Sequence, residues 1–143
     1  MNVKVVYHSQ TGNTKVLAEA ISSELNIPAE EIKAGPDING VDLLFVGGCI
    51  HAFNLEHTCK SFLKSLTGPE QVKNVALFST SASGNGITKF AEKILRKKGI
   101  HLISEECNCL GGLNKKTGQK NPDENDIAAA KEFAVRTLER VSK

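Results

Sequence analysis

Tryptophan is absent and tyrosine occurs once, so the chain lacks the aromatic platforms on which single-stranded nucleic acids stack. Its formal net charge is only +2, from 18 Lys and Arg against 16 Asp and Glu, well short of a nucleic-acid binder's basic footprint. The longest apolar runs are strand-length, so no segment reads as a membrane span. Neither nucleic acid nor membrane is therefore an expected partner. No apolar signal region with a small-residue cleavage site follows Met1, which makes a cytoplasmic location the expectation. Cysteines are few; Cys49, Cys59, Cys107 and Cys109 are expected to be reduced thiols rather than a disulfide framework. On a strand, Cys107 and Cys109 would point to one face as half of a metal or redox site, but no second pair completes it. Two basic clusters, Lys93, Arg96, Lys97, Lys98 and Lys115, Lys116, Lys120, read either as solvated faces or as docking surface for an acidic partner.

What is present is an alternation of strands and helices. Val3, Lys4, Val5, Val6 and Tyr7 form an apolar strand, and Val16, Leu17, Ala20, Ile21 and Leu25 recur at helical spacing. Glu31, Ile32 and Lys33 read as a weak second strand. Residues 41–46 form a strand buried on both faces and ended by Gly47 and Gly48. The next helix has Cys59, Phe62, Leu63 and Leu66 inward. Residues 72–79 give another strand, and Ile87, Phe90, Ala91, Ile94 and Leu95 another helix, stopped by Gly99. An extended pattern over 100–103 then passes through Cys107 and Cys109 into a long loop. The last helix is expected to start with Asn121 as N-cap, Pro122 in the first turn and Glu124 completing a capping box. Such alternation implies an α/β fold of one domain over residues 1–143, with a doubly wound, five-stranded parallel sheet in three α/β/α layers.

Between the first strand and first helix lie Ser9, Gln10, Thr11, Gly12, Asn13 and Thr14. The leading amides of a helix lack intrahelical partners and sit at the positive end of its dipole, so this turn is suited to a phosphate. It has no Lys after its Gly and no second Gly, unlike a nucleotide-hydrolysing loop, which favours a single terminal phosphomonoester. The turn resembles the FMN-phosphate loop of flavodoxins. The resemblance continues through Gly47 and Gly48 to a tail containing Cys109, Gly111, Asn121, Pro122, Asp126, Ala130, Phe133 and Ala134.

That resemblance implies the strand order 2-1-3-4-5, FMN as cofactor, and binding loops at the carboxyl ends of strands one, three and four. Beyond the first loop, the implied cofactor-binding residues are Cys49, His51, Ala52, Phe53 and Asn54, then Thr80, Ser81, Ala82, Ser83, Gly84 and Gly86. Phe53 is the preferred neighbour of the flavin ring, with burial under the loop as its other reading. His51 is a candidate proton donor or a solvent-facing loop residue. His8 either helps neutralise the phosphate or points away.

The chain departs from the family pattern in three ways. Loop 80–86 has no aromatic, the usual Gly in the loop after strand three is missing, and the usual acidic field is absent. Asn54 is the expected substitute for that Gly, because Asn tolerates positive φ. The expected function is an FMN-binding electron carrier exchanging electrons with redox partner proteins in transient complexes. An FMN-dependent NAD(P)H:flavin or quinone reductase and an apo interaction domain stay open as alternatives.

Overall fold

Strand β1 (Val3–Tyr7) and the central strands β3 (Val41–His51) and β5 (Val72–Ser81) alternate their side chains between two cores. Val6, Leu44, Val46, Val75 and Leu77 face one way, while Val5, Leu43, Phe45, Ala76 and Phe78 face the other. All ten are buried, which accounts for the nearly continuous apolar runs in the sequence. The computed structural model describes residues 1–113 and 116–143; Lys115 of the second basic cluster lies outside them.

Helices α1 (Asn13–Leu25) and α4 (Glu124–Ser142) pack together over one face, and α2 (His57–Ser65) and α3 (Thr88–Lys98) over the other. Leu17, Ile21, Ala130 and Phe133 close the first core; Cys59, Phe62, Leu63, Ala91 and Leu95 close the second. The edge-to-face contact of Phe45 with Phe133, centroids 5.8 Å apart, joins the sheet to α4. The parallel order is β2-β1-β3-β5-β6, with β2 at Ala29–Glu31 and β6 at His101–Leu102. Counting parallel strands only, this is the expected order 2-1-3-4-5.

Four boundaries differ from the sequence reading, each for a local reason. Gly47 and Gly48 do not end β3. A Cβ at Gly47 would lie 2.1 Å from the Phe78 ring and one at Gly48 2.8 Å from Cys59 Sγ, so these glycines admit close packing inside a continuing strand. The strand runs on to His51 and folds back as β4 (Asn54–Leu55), pairing Ile50 with Leu55 and His51 with Asn54. The second strand lies earlier, over Ala29–Glu31, because the Glu31 side chain accepts the Lys33 N–H and opens a 3-10 turn over Ile32–Ala34.

The fifth strand position is shared by β6 and β7 (Cys107–Leu110), both paired with β5. Between them, Glu105 is drawn to Arg136 at 2.5 Å and Arg140 at 3.7 Å on α4, while Glu106 reaches the start of α3. Finally, Asn121 is engaged with Gly112 in a small antiparallel ladder of β8 (Gly112–Leu113) and β9 (Lys120–Asn121). The capping box of α4 consequently falls on Asp123 and Asp126, not on Asn121 and Glu124.

No helix of the described residues is long and apolar enough to cross a membrane. The cap assignment makes a direct prediction. Asp123→Ala should lower unfolding stability by about 1 kcal/mol, and Asn121→Ala by less than half as much, in urea denaturation; the reverse ranking would return the cap to Asn121.

Candidate functional site

The chain leaves β1 in one direction to form β2 and later returns on the other side of β1 as β3. Doubly wound sheets open a crevice where the order reverses in this way, a rule drawn in part from flavodoxins themselves. The loop over residues 9–14 occupies that position. Gly12 is the N-cap of α1 with φ +92°, a left-handed backbone that glycine adopts without strain. Its N–H donates to Ser9 Oγ at 2.9 Å, and Asn13 Nδ2 donates to Thr11 Oγ1 at 3.0 Å. The Val16 N–H reaches the Gly12 carbonyl at 3.2 Å, but the amides of Thr11, Asn13, Thr14 and Lys15 have no main-chain carbonyl partner among the described residues.

The other three α-helices start differently. Glu56, only 5% exposed, accepts from the Thr58 N–H at 2.9 Å and the Cys59 N–H at 3.0 Å, capping α2. Burial opposes ionisation of this carboxyl, but those two N–H groups and the nearby His8 outweigh it and hold it below its ordinary range. Glu106 caps α3 from β7's side, accepting from the Ile87 N–H at 3.0 Å and the Thr88 N–H at 2.9 Å as well as from the Ser79 and Thr88 hydroxyls. The capping box supplies a carboxylate to α4. Helix α3, like α1, has no cap from its own N-cap residue and no acid in its first turn, but Glu106 reaches its amides from outside the helix; of the four, α1 alone meets no carboxylate at its start among the described residues, and its dipole favours an anion there.

His8 does not join this cradle. Its Nδ1 lies 3.0 Å from Glu31 and its Nε2 3.8 Å from Glu56, so the buried imidazole is engaged by two carboxylates.

A cavity of about 140 Å³ brings the three expected loops together. Gln10, Thr11, Asn13 and Thr14 line it from the first loop, Cys49 and Ile50 from β3, and Thr80, Ser81 and Ala82 from the end of β5. Thr14 and Thr80, 2% and 3% exposed, share a hydrogen bond of 2.9 Å. Gly111 completes the wall: a Cβ there would stand 3.1 Å from Asn13 Nδ2 and 3.2 Å from Thr80 Cβ. Burial, with Glu56 second, pushes the Cys49 thiol above its ordinary value, so it remains protonated at neutral pH.

Ser9, Gly12, His51, Ala52, Phe53, Asn54, Ser83, Gly84 and Gly86 do not line this cavity. Gly84 takes positive φ, and Ser81 Oγ donates to the Asn85 carbonyl at 2.9 Å, folding loop 80–86 on itself. Asn108 Nδ2 reaches the same carbonyl at 3.3 Å, and a Cβ on Gly86 would lie 2.5 Å from the Glu106 carboxylate. Glu106, Asn108, Glu56 and Gly111 thus shape the site without having been singled out as site residues from the sequence. A lone acid or amide, whether in a loop like Glu56 and Glu106 or on a strand like Asn108, carries no sequence pattern, and only Gly111 belongs to the family-like tail.

The hairpin between β3 and β4 corrects one expectation and decides between the two readings of Phe53. Positive φ falls on Ala52 (51°) and Phe53 (65°), not on Asn54, which is extended in β4 and accepts the Leu55 N–H through Oδ1 at 2.8 Å. A two-residue hairpin of this hand needs left-handed backbone at both central positions, where glycine or asparagine is usual. Phe53 is also not tucked under the loop: it is 97% exposed. His51 beside it is exposed as well.

The C-x-C pair faces a hydrophobic core and does not line the cavity. Cys107 and Cys109 do share a face of β7, against the α1 and α4 core. Burial, reinforced by Glu105, lifts Cys107 to about 11, and burial with Asp126 lifts Cys109 to about 12. Among the described residues no group of three or more metal-ligating side chains occurs.

Non-glycine residues in left-handed backbone cost about 1 kcal/mol or more each. Ala52→Gly should therefore raise unfolding stability by about 0.5–1 kcal/mol in chemical denaturation, after the entropy lost by glycine is deducted; a net loss would mean that this turn is unstrained.

Similarity to known proteins agrees with this architecture. A flavodoxin domain model matches residues 4–116. An uncharacterized protein of Methanocaldococcus jannaschii is 32% identical, with 94% of each chain covered. Oxidised flavodoxin 1 from Bacillus cereus superposes with a TM-score of 0.75 at 15% identity, covering 97% of this chain and 98% of that one. Fusobacterium nucleatum flavodoxin bound to flavin mononucleotide gives 0.69 at 13% identity, covering 97% and 98%. With a parallel sheet wound in the flavodoxin order and a family model matching most of its length, the chain belongs to the flavodoxin family.

Proposed function

We propose that this chain binds FMN, with the phosphate in loop 9–14, and carries electrons between redox proteins. The observation that carries the reading is the contrast among helix starts. Glu56 and Glu106 cap α2 and α3, whereas α1 begins with uncapped amides and with the Ser9, Thr11 and Thr14 hydroxyls. A phosphomonoester fits this donor set, which offers N–H and O–H groups without a lysine.

The rest of the site fits the same ligand. The cavity is small, of the scale of the phosphate and the start of a sugar chain, leaving the ring to the open side between the hairpin and loop 80–86. There an exposed Phe53, held by a strained turn, offers an aromatic face whose exposure contributes nothing to folding. Ser81 and Asn108 fix the Asn85 carbonyl and so hold loop 80–86 in shape beside the ring's polar edge. FMN, when bound, supplies a centre that takes up and returns electrons. The surface position of Phe53 supports exchange with another protein over a small contact.

Changing the exposed Thr11 to Val should weaken FMN binding by about tenfold in calorimetry, with riboflavin affinity changed by less than about threefold because it lacks the phosphate. Equal losses for the two ligands would overturn the loop assignment. Bleaching of the flavin band by NADH or NADPH alone, without air, would replace the carrier with the reductase.

A further inference from the structure

A groove lined by lysines lies outside the proposed flavin site. Lys60 and Lys64 stand one helical turn apart on α2, and Lys89, Lys93 and Lys97 repeat at the same spacing on α3, with Lys98 beside them. The two rows border a groove of about 580 Å³ between the helices, floored by half-buried Phe90 and Ile94. No acidic side chain lines it.

These lysines are also uncompensated. Among the described residues Lys15, Lys73, Arg96, Arg136 and Arg140 each have a carboxylate within 4 Å, while none of the six groove lysines does. Setting six aside from 18 Lys and Arg leaves twelve against 16 Asp and Glu, so the chain outside the groove is net acidic. A surface needing only solubility intersperses its charges; one sign gathered into a concavity raises the local potential and steers an opposite charge.

We propose that the α2–α3 groove docks the acidic face of a partner protein. Its place in the fold favours a redox partner. Lys89 lies in the first turn of α3, directly after loop 80–86, and Lys60 in the first turn of α2, after the hairpin that carries Phe53. A partner seated there would lie beside the two loops that flank the proposed ring. This choice of a redox protein rests on the electron-carrier reading; the acidic docking seat itself does not.

The groove chemistry favours protein over other polyanions. Its cations are all lysines, lacking the arginine forks that grip phosphates in pairs, and the chain's one tyrosine is buried. Phe90 and Ile94 form a floor suited to an apolar side chain among the partner's carboxylates, and they lie half-buried rather than projecting as membrane-inserting residues do.

The test is a backbone amide NMR titration of the full chain, with and without FMN, using an acidic 2Fe–2S ferredoxin as probe. Shifts should concentrate on residues 60–64 and 89–98 in both forms, and affinity should fall by about tenfold between about 50 and about 300 mM NaCl. Lys64→Glu with Lys93→Glu should abolish the shifts while leaving FMN affinity and thermal unfolding unchanged. Shifts elsewhere, no binding at the lower salt, or unaltered binding by the double variant would overturn the proposal. So would tighter seating of a DNA duplex or of phosphatidylglycerol vesicles in the same groove. Failure of the flavin reading has a separate signature: no FMN uptake, with ferredoxin still seated on the groove.

Discussion

The hydrogen bond between the Thr14 and Thr80 hydroxyls, 2.9 Å long and buried, holds the working edge of this protein together. It ties the first turn of α1 to the end of β5 across the intervening strand β3, whose Gly48 carbonyl lies 3.4 Å from the same Thr14 oxygen. Both residues are almost fully buried and each hydroxyl gives the other a partner, so neither can become apolar without leaving the other less satisfied. With α1 anchored in this way, its uncapped amides face the crevice at the reversal of strand order. Gly111 then closes the wall because a side chain there would press on Asn13 and Thr80.

Acidic side chains decide what that edge can bind. Glu56 and Glu106 neutralise the starts of α2 and α3, and each is itself held by hydrogen bonds from helix amides. The result is one anion-receptive helix start beside two that are already occupied. Carboxylates at neighbouring helix starts also oppose any second anion, which favours a single terminal phosphate over a polyphosphate. On the other side of the hairpin the sign reverses, as the lysines of α2 and α3 gather into their groove.

The strand and helix succession was legible because burial on both faces leaves nearly unbroken apolar runs, as in residues 41–46, and because helical spacing survives in α1 and α3. Loop 9–14 was legible because its hydroxyls and Gly12 form a local pattern. Contacts between distant segments were not. Gly47 and Gly48 look like a strand end until the Phe78 ring and Cys59 are brought against them. Glu106 is an unremarkable acid until β7 lies beside β5 and carries it to α3. The positive φ at Ala52 and Phe53 had no residue-type signal, since the turn imposes on them a backbone that other residues adopt more cheaply. Asn121 had the right residue type for a cap, but its backbone was taken by the β8–β9 ladder.

The central claim is that main-chain amides at the start of α1 receive a phosphate while those of α3 are closed by Glu106. Backbone amide NMR during titration with FMN tests it most directly. The account predicts that the amides of Thr11, Asn13, Thr14 and Lys15 move most, with Ile87 and Thr88 nearly still. Large shifts at Ile87 and Thr88 with none at the start of α1 would contradict it.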